Sequence, residues 1–260
     1  MLVFPAALAA FALSGSKNYA LISFAMVIMA IVPFLMLYEM KKPQAREWIP
    51  LAVMAAIAAV GRAAFAALPH FKPVSAIIII TAMTFGPEAG FLTGAVAALA
   101  SNLFFGQGPW TPWQMFAWGL IGFIAGMLGR HNLLKKKWQL LVFGMFTGYL
   151  YGWILNVWSA TGFMYELSWQ AYIGLCATSF VPDTVHGIST VLFLWLLSDD
   201  WGAKLRRIKY KFGILASLCD EFKKKRTPFS GVRFLYARNL EPRRRFSRRT
   251  LHRGVVTPQA

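Results

Sequence analysis

The chain has 260 residues, of which 57% are hydrophobic and only 14% are charged, and its formal net charge is +17. Its mean hydropathy is +0.52. This composition excludes an ordinary soluble domain and indicates an integral membrane protein. The apolar stretches are long and do not alternate with polar residues, which favours membrane-spanning helices over a β-barrel.

Hydropathy predicts eight apolar helical segments. A full crossing of the bilayer needs about 20 residues, and segments 18–38, 49–68 and 138–157 satisfy this length best. The first segment is short, so the sequence leaves open whether it is a partial helix, a re-entrant segment or a signal-like remnant. The eight segments are 2–14, 18–38, 49–68, 73–86, 88–105, 113–129, 138–157 and 169–197.

Segments 73–86 and 88–105 are separated only by Pro87. Residues 85–90 read FGPEAG, and Gly followed by Pro is strong turn chemistry. The sequence therefore predicts a tight hairpin there. It also predicts that the short helix 73–86 is buried or tilted.

The basic residues between the segments predict the orientation of the helices. Counting segments puts three basic clusters on one side, and the positive-inside rule makes that side cytoplasmic. Loops 69–72, 106–112 and 158–168 then face outward, and the C-terminus is cytoplasmic in the cell membrane. The clusters are Lys41, Lys42 and Arg46; Arg130, Lys135, Lys136 and Lys137; and Lys204, Arg206, Arg207, Lys209 and Lys211.

Three regions follow from these patterns: an N-terminal hydrophobic hairpin at 1–45, a six-span core at 46–212 and a basic tail at 213–260. The tail holds nearly half of all basic residues in the chain. A nucleic-acid arm would explain its charge, but a cytoplasmic flank near anionic lipid explains it more simply. The tail has no sustained apolar period, which predicts disorder.

Ionisable residues inside predicted spans are the first candidates for function, because burying them is costly. Arg62 lies in segment 49–68, towards its outer end. An Arg at the centre of a span costs about 2.5–3.5 kcal/mol on insertion scales, so it should face protein, water or a ligand. Snorkelling of the side chain towards the outer surface is the alternative.

Asp183 and His186 lie near the middle of the predicted segment 169–197. Their spacing of three puts them on one helix face, Pro182 frees a backbone carbonyl, and Gly187 permits close helix approach. Three readings are open. The two side chains are a buried structural pair, contacts for a solute, or part of a proton relay.

Several polar and aromatic residues fall at the predicted outer ends of different spans. Singly, each polar residue is more often an interhelical hydrogen bond than a ligand contact. Together they would surround one outward-facing cavity of the mostly aromatic kind that binds small molecules. These candidates are Asn102, Gln107, Trp110, Thr111, Trp113, Gln114 and Asn156.

Segment 49–68 carries small residues four positions apart, which allow another helix to approach closely. Ala52, Ala55, Ala56 and Ala59 form this face. It would pack inside the protein or dock a partner subunit.

The chain has no P-loop, no HExxH and no GxSxG motif. Cys176 and Cys219 have neither metal-ligand spacing nor the setting of a disulfide. The sequence therefore predicts a binder or conduit, with no catalytic residue, no metal and no cofactor, rather than an enzyme.

These residues together resemble the substrate-binding S component of energy-coupling factor (ECF) vitamin transporters. The similarity runs from about residue 46 to residue 213, and the block SNLFFGQGPWTPWQ at 101–114 is its most specific part. Residues 1–45 look like an extra hairpin found in a subset of the family, and the pattern leaves the tail uncovered. The other matching stretches are the Ala-rich helix, HFKPV at 70–74, FGPEAGF at 85–91, PDTVHG at 182–187 and KLRRIKYK at 204–211.

The resemblance implies an all-α membrane protein with a six-helix core. Such a subunit binds a vitamin or related micronutrient near its outer face, associates with a transmembrane coupling subunit and two ABC ATPases, and topples to deliver the solute inward. The alanine face would dock the coupling subunit. Cobalamin-type members are the most similar, while riboflavin, pantothenate, a thiamine precursor and a queuosine-type base stay open.

Two other classes of function are also compatible with the sequence. A stand-alone transporter or channel would call for inverted repeats or several intramembrane charges, and neither is evident. A membrane scaffold or assembly factor would need no solute cavity.

Overall fold

A computed structural model describes residues 19–40, 45–163 and 168–213, and the described residues form eight α-helices. The predicted segment 2–14 and the basic tail beyond residue 213 lie outside the described residues. The helices are α1 (Tyr19–Glu39), α2 (Ala45–Ala64), α3 (Val74–Phe85), α4 (Pro87–Phe105), α5 (Thr111–Arg130), α6 (Lys137–Phe163), α7 (Trp169–Thr178) and α8 (Phe180–Lys211).

Four of the described helices are long and apolar enough to cross a membrane, in agreement with the predicted all-α membrane protein. They contain the stretches Glu47–Ala64, Pro87–Phe105, Lys137–Thr161 and Phe180–Lys211. Helix α3 is shorter, and every one of its residues except Met83 is buried. It lies against α2, α4, α5 and α8, so the prediction of a short buried helix is confirmed.

The predicted hairpin between α3 and α4 is also confirmed. Gly86 has φ +101°, a conformation that favours glycine, and its N–H donates to the carbonyl of Ala82 at the end of α3. Pro87 then begins α4, where its missing N–H and fixed φ cost nothing. Two apolar helices are therefore joined by a single residue.

The last predicted segment, 169–197, needs correction. The structure interrupts it at Ser179, which separates α7 from α8. Helix α8 then continues to Lys211 and is about 48 Å long at 1.5 Å per residue, so the basic residues 204–211 belong to the helix rather than following it. Pro182 falls in the first turn of α8, where proline is tolerated without a kink.

Other helix boundaries also differ from the sequence-based prediction, among them the ends of α2 and α6. Helix α2 ends at Ala64 rather than residue 68, and α6 continues to Phe163 rather than ending at residue 157. The predicted loop 158–168 is thus helical over its first six residues. Hydropathy does not fix these ends, because apolar residues at a membrane surface occur in helices and turns alike.

Helices α4 and α5 pack along each other through glycines. A Cβ added at Gly90 would lie 2.6 Å from the carbonyl oxygen of Gly122, and one at Gly94 would lie 2.7 Å from the amide nitrogen of Gly119. Small residues permit such close approach between membrane helices. This seam brings the end of α4 and the beginning of α5 together, which is where the candidate site lies.

Candidate functional site

Arg62, near the end of α2, is a buried cation, with 9% of its surface exposed. Its Nη1 donates to Ser101 Oγ and to Asn102 Oδ1, both at 2.7 Å. The guanidinium carbon lies 4.5 Å from the ring centre of Phe105 and 5.1 Å from that of Trp118. Arg62 is therefore held by neutral oxygens and aromatic faces rather than directed freely into solvent.

Asn102 is fully buried on α4 and connects Arg62 to two further helices. Its Nδ2 donates to Thr111 Oγ1 at 3.0 Å and to Gln114 Oε1 at 2.7 Å. Gln114 in turn donates from Nε2 to the hydroxyl of Tyr151 on α6 at 3.2 Å. We refer to Arg62, Ser101, Asn102, Thr111, Gln114 and Tyr151 as the Arg62 cluster, and it joins α2, α4, α5 and α6.

The connector between α4 and α5 folds back onto this cluster. Gly106 has φ +93° and ends α4. Thr111 donates to Gln107 Oε1 at 3.0 Å and accepts from the N–H of Gly108 at 3.2 Å, while Gln107 Nε2 donates to the carbonyl of Leu99 at 2.9 Å. The Trp110 ring packs over Gly108. The connector is thus held by hydrogen bonds of Gln107 and Thr111, two of the predicted site residues.

Aromatic side chains pack against one another beside Arg62. The Trp118 ring stacks on Tyr151 with centroids 4.8 Å apart, and Tyr151 meets His186 edge-on at 5.0 Å. The indole of Trp118 donates to Ser75 Oγ at 3.2 Å, and Ser75 Oγ lies 2.9 Å from His186 Nε2. His186 therefore joins the cluster through Ser75 and Tyr151.

Lys72 adds a second cation beside Arg62. Its ammonium lies 4.8 Å from the centre of the Phe105 ring that Arg62 also covers. Its backbone N–H donates to Ser189 Oγ at 3.3 Å, which holds the loop against α8. Burial lowers the pKa of Lys72, and the charge of Arg62 lowers it further. The two cations are thus close enough to repel each other.

Asp183 and Asn156 belong to a separate chain of hydrogen bonds. Asn156 Nδ2 donates to Ser179 Oγ at 2.8 Å, and Ser179 Oγ donates to Asp183 Oδ2 at 2.9 Å. The Asp183 carboxylate lies against Gly152, where an added Cβ would collide with it. This arrangement ties the break at Ser179 to α6. Asp183 and His186 are both buried, but they have different hydrogen-bond partners.

Two other predicted groups are divided by the structure. Trp113 is fully buried in a hydrophobic cluster with Phe91 and Trp158, so it packs the core, whereas Trp110 is 37% exposed. Of the four alanines predicted to form one face of α2, Ala55 and Ala59 are buried inside the chain, whereas Ala52 and Ala56 are exposed. The sequence does not distinguish the exposed pair of alanines from the buried pair, because the members of each pair are four residues apart.

Four residues of the site are absent from the sequence-based prediction: Ser75, Ser101, Trp118 and Tyr151. Ser101 lies at the start of the block 101–114, so its position was a usable signal. Trp118 and Tyr151 lie within apolar spans, where aromatic residues are common and carry no functional signal of their own. Ser75 takes part only through contacts with Trp118 and His186, which lie 43 and 111 positions away in the sequence.

Comparison with known proteins identifies the family of this chain. The family model described as "ECF-type riboflavin transporter, S component" matches residues 42–199, which is more than half of the chain. The chain belongs to this family. The S component is a transporter subunit rather than an enzyme. The predicted resemblance to the S-component family is confirmed, whereas the similarity to cobalamin-type members stays a prediction.

Individual relatives match shorter stretches. A UPF0397 protein of Vibrio atlanticus (strain LGP32) is 27% identical over 110 residues, which are 39% of this chain and 60% of the relative. A UPF0397 protein of Aliivibrio fischeri (strain MJ11) is 30% identical over 88 residues, which are 32% of this chain and 48% of the relative. The chain thus spans less than two thirds of either relative. No solved structure matches it.

Proposed function

We propose that this protein is the substrate-specific membrane subunit of an ECF-type importer, and that it binds a vitamin or related micronutrient at the Arg62 cluster. Membership of the S-component family supports the transport role. The observation that carries the site is a buried hydrogen-bonded cluster contributed by four helices and one connector. Burying polar groups costs free energy unless they are hydrogen-bonded. Their concentration in an otherwise apolar part of the chain therefore supports a binding role.

The hydrogen bonds of the cluster suggest how a solute would enter. Asn102, Thr111 and Gln114 are satisfied by one another, and the side-chain bonds of Gln107 close the cluster from the connector. A solute with its own donors and acceptors would exchange bonds with these groups at little net cost. The connector begins at Gly106, and its movement would expose the Arg62 cluster to the solute. In this proposal the connector faces outward.

The energy for transport would come from partner subunits. We propose association with a transmembrane coupling subunit and two ABC ATPases, because the chain itself carries no nucleotide-binding motif. The exposed face of α2 at Ala52 and Ala56 is the proposed docking surface, since small residues let a partner helix approach closely. Toppling of the subunit would then present the solute to the cytoplasm.

The substrate is tested by identifying what the purified protein holds. The protein is extracted gently and denatured, and released small molecules are identified by mass spectrometry against a mock preparation. We expect a vitamin or related base in stoichiometric amount, and the panel for direct binding includes riboflavin, cobalamin, pantothenate, a thiamine precursor and a queuosine-type base. An empty, folded protein that binds none of the panel would instead favour a membrane scaffold.

The docking surface is tested with a matched pair of variants. Ala56→Trp fills the proposed face, whereas Ala25→Trp places the same side chain at an exposed alanine of α1. We expect Ala56→Trp to abolish co-purification of the ATPase module while leaving solute affinity unchanged, and Ala25→Trp to affect neither. Equal co-purification by both variants would remove the assignment of this face.

A further inference from the structure

The charge balance around Arg62 is unusual for a buried cation. Both hydrogen bonds of the guanidinium leave from Nη1 and end on neutral oxygens. Among residues 19–40, 45–163 and 168–213, no carboxylate lies within ion-pair distance of Arg62, and Nε and Nη2 have no hydrogen-bond partner. Arg62 as a residue is only 9% exposed, but its unbonded Nε and Nη2 are not among the fully buried unpartnered atoms. One edge of the guanidinium is therefore unused by the described part of the chain and accessible to a solute.

The neighbouring groups increase the positive charge instead of neutralising it. Lys72 shares the Phe105 ring with Arg62, and no described ion pair includes Lys72. Asp183, the buried acid of α8, accepts from Ser179 and belongs to the separate chain of hydrogen bonds. Two cations thus lie near one aromatic ring without an acidic partner.

A buried charge of this kind is normally paired, because desolvation without a counter-ion is expensive. Neutral oxygens and ring faces reduce the cost but leave the charge in place. The unused Nε–Nη2 edge of a guanidinium matches the two oxygens of a carboxylate or phosphate in a bidentate pair, which is among the strongest hydrogen-bonded contacts in proteins. A solute with a carboxylate or phosphate would supply a negative charge that the described residues around Arg62 do not.

We propose that the transported solute carries an acidic group, a carboxylate or a phosphate monoester, which binds the free edge of Arg62 with Lys72 as a second positive charge. The rings of Phe105 and Trp118 would flank the adjoining part of the solute. This inference rests on the proposed function and narrows it to acidic micronutrients. Family membership does not decide between a neutral and an acidic solute. Riboflavin, which appears in the description of the matched family model, has no acidic group, whereas its phosphate ester has one.

The inference is tested with pairs of compounds that differ in the acidic group. Binding to the full-length protein in lipid nanodiscs is measured by calorimetry for nicotinate and nicotinamide, pantothenate and pantothenol, biotin and biotin amide, and flavin mononucleotide and riboflavin. We expect binding within these pairs to be confined to an acidic member. Because the comparison uses the wild-type protein, it does not depend on the folding of any variant.

Variants then assign the selectivity to Arg62. Arg62→Gln should weaken binding of the acidic compound by about 30-fold or more, as expected when a hydrogen bond to a charged group is lost. Lys72→Met should weaken it by a smaller factor. Thr93→Val, which removes a buried hydroxyl bonded only within α4, is the control and should bind as the wild type does.

The outcomes separate this inference from the function on which it rests. If a neutral compound binds as tightly as its acidic partner, or if Arg62→Gln folds and keeps wild-type affinity for an acidic compound, the protein remains a solute-binding subunit and the acidic solute is refuted. If no vitamin binds or co-purifies, both proposals fail, and Arg62 is a structural link between α2 and α4. Binding restricted to an acidic compound and lost in Arg62→Gln supports the inference.

Discussion

Cations have different kinds of partner at the two ends of the helical bundle. At one end, where α2 finishes and α5 begins, Arg62 is enclosed by neutral oxygens and rings. At the opposite end, where α3 finishes and α6 begins, cations pair with acids: Lys137 bonds Asp199, and Arg130 lies 3.6 Å from Glu88. A cavity of about 250 Å³ lies beside Lys137 and contains Arg206 in its wall.

The difference follows from the access of water. The side chains of Lys137 and Asp199 are 40% and 74% exposed, so their pairing costs little and contributes little, typically below about 1 kcal/mol. Arg62 is almost enclosed, where every contact is stronger and every unmet one is more costly. Sequence changes should therefore have large effects around Arg62 and small effects around Lys137.

The largest effect is expected where the helix seam supports the Arg62 cluster. Gly94→Ala adds a Cβ that meets the backbone of Trp118 and Gly119, so α4 and α5 must separate and Trp118 must shift. We expect a fall of about 1–3 kcal/mol or more in the free energy of unfolding, read as a lower melting temperature in detergent, together with loss of solute binding.

Gly174→Ala is the matched control for that change. It adds the same methyl group to α7 at a position with open space around it, and it should leave the melting temperature unchanged or raise it slightly because alanine favours a helix. Equal destabilisation by both variants would mean that the effect comes from the helix backbone and not from the seam.

An intermediate effect is expected at the centre of the cluster. Asn102→Leu keeps the approximate volume but leaves Gln114 Oε1 without its donor, at about 1–3 kcal/mol for an unsatisfied group that water cannot reach. Arg62 Nη1 and Thr111 each lose one hydrogen bond but keep their bonds to Ser101 and Gln107. We expect a clearly lower melting temperature and weakened solute binding. Thr93→Val on the same helix should change both much less, and a similar loss in the two variants would contradict the central role of Asn102.

The smallest effect is expected at the opposite end. Asp199→Asn removes the ion pair with Lys137, but both groups are open to water. We expect a change below about 1 kcal/mol in the free energy of unfolding, vanishing at high salt, with solute affinity unaffected. Melting curves at low and high ionic strength would check this, and a large salt-independent loss would show that the two ends do not differ as described.

Many residues of the candidate site can be predicted from the sequence, but the contacts among them cannot. The block 101–114 supplied Asn102, Gln107, Thr111 and Gln114, because polar residues in an apolar, glycine-rich stretch are unusual. Trp113 belongs to the same block yet packs the core. Neighbouring residues on a helix point about 100° apart, so the packing of α1, α4 and α6 against α5 decides which of them faces the Arg62 cluster.

Local sequence patterns are sufficient to establish the class of the protein, because long apolar runs with few charges are stable as helices in a membrane. They also predict the α3–α4 turn, because Gly and Pro restrict the backbone locally. Which side chains meet depends instead on the packing of the helices. Arg62 reaches Ser101 across 39 positions, and Ser75 reaches His186 across 111. The same packing also decides the break at Ser179 and the burial of Ala55 and Ala59, since contacts between distant segments select one helix face over another and no local pattern contains that information.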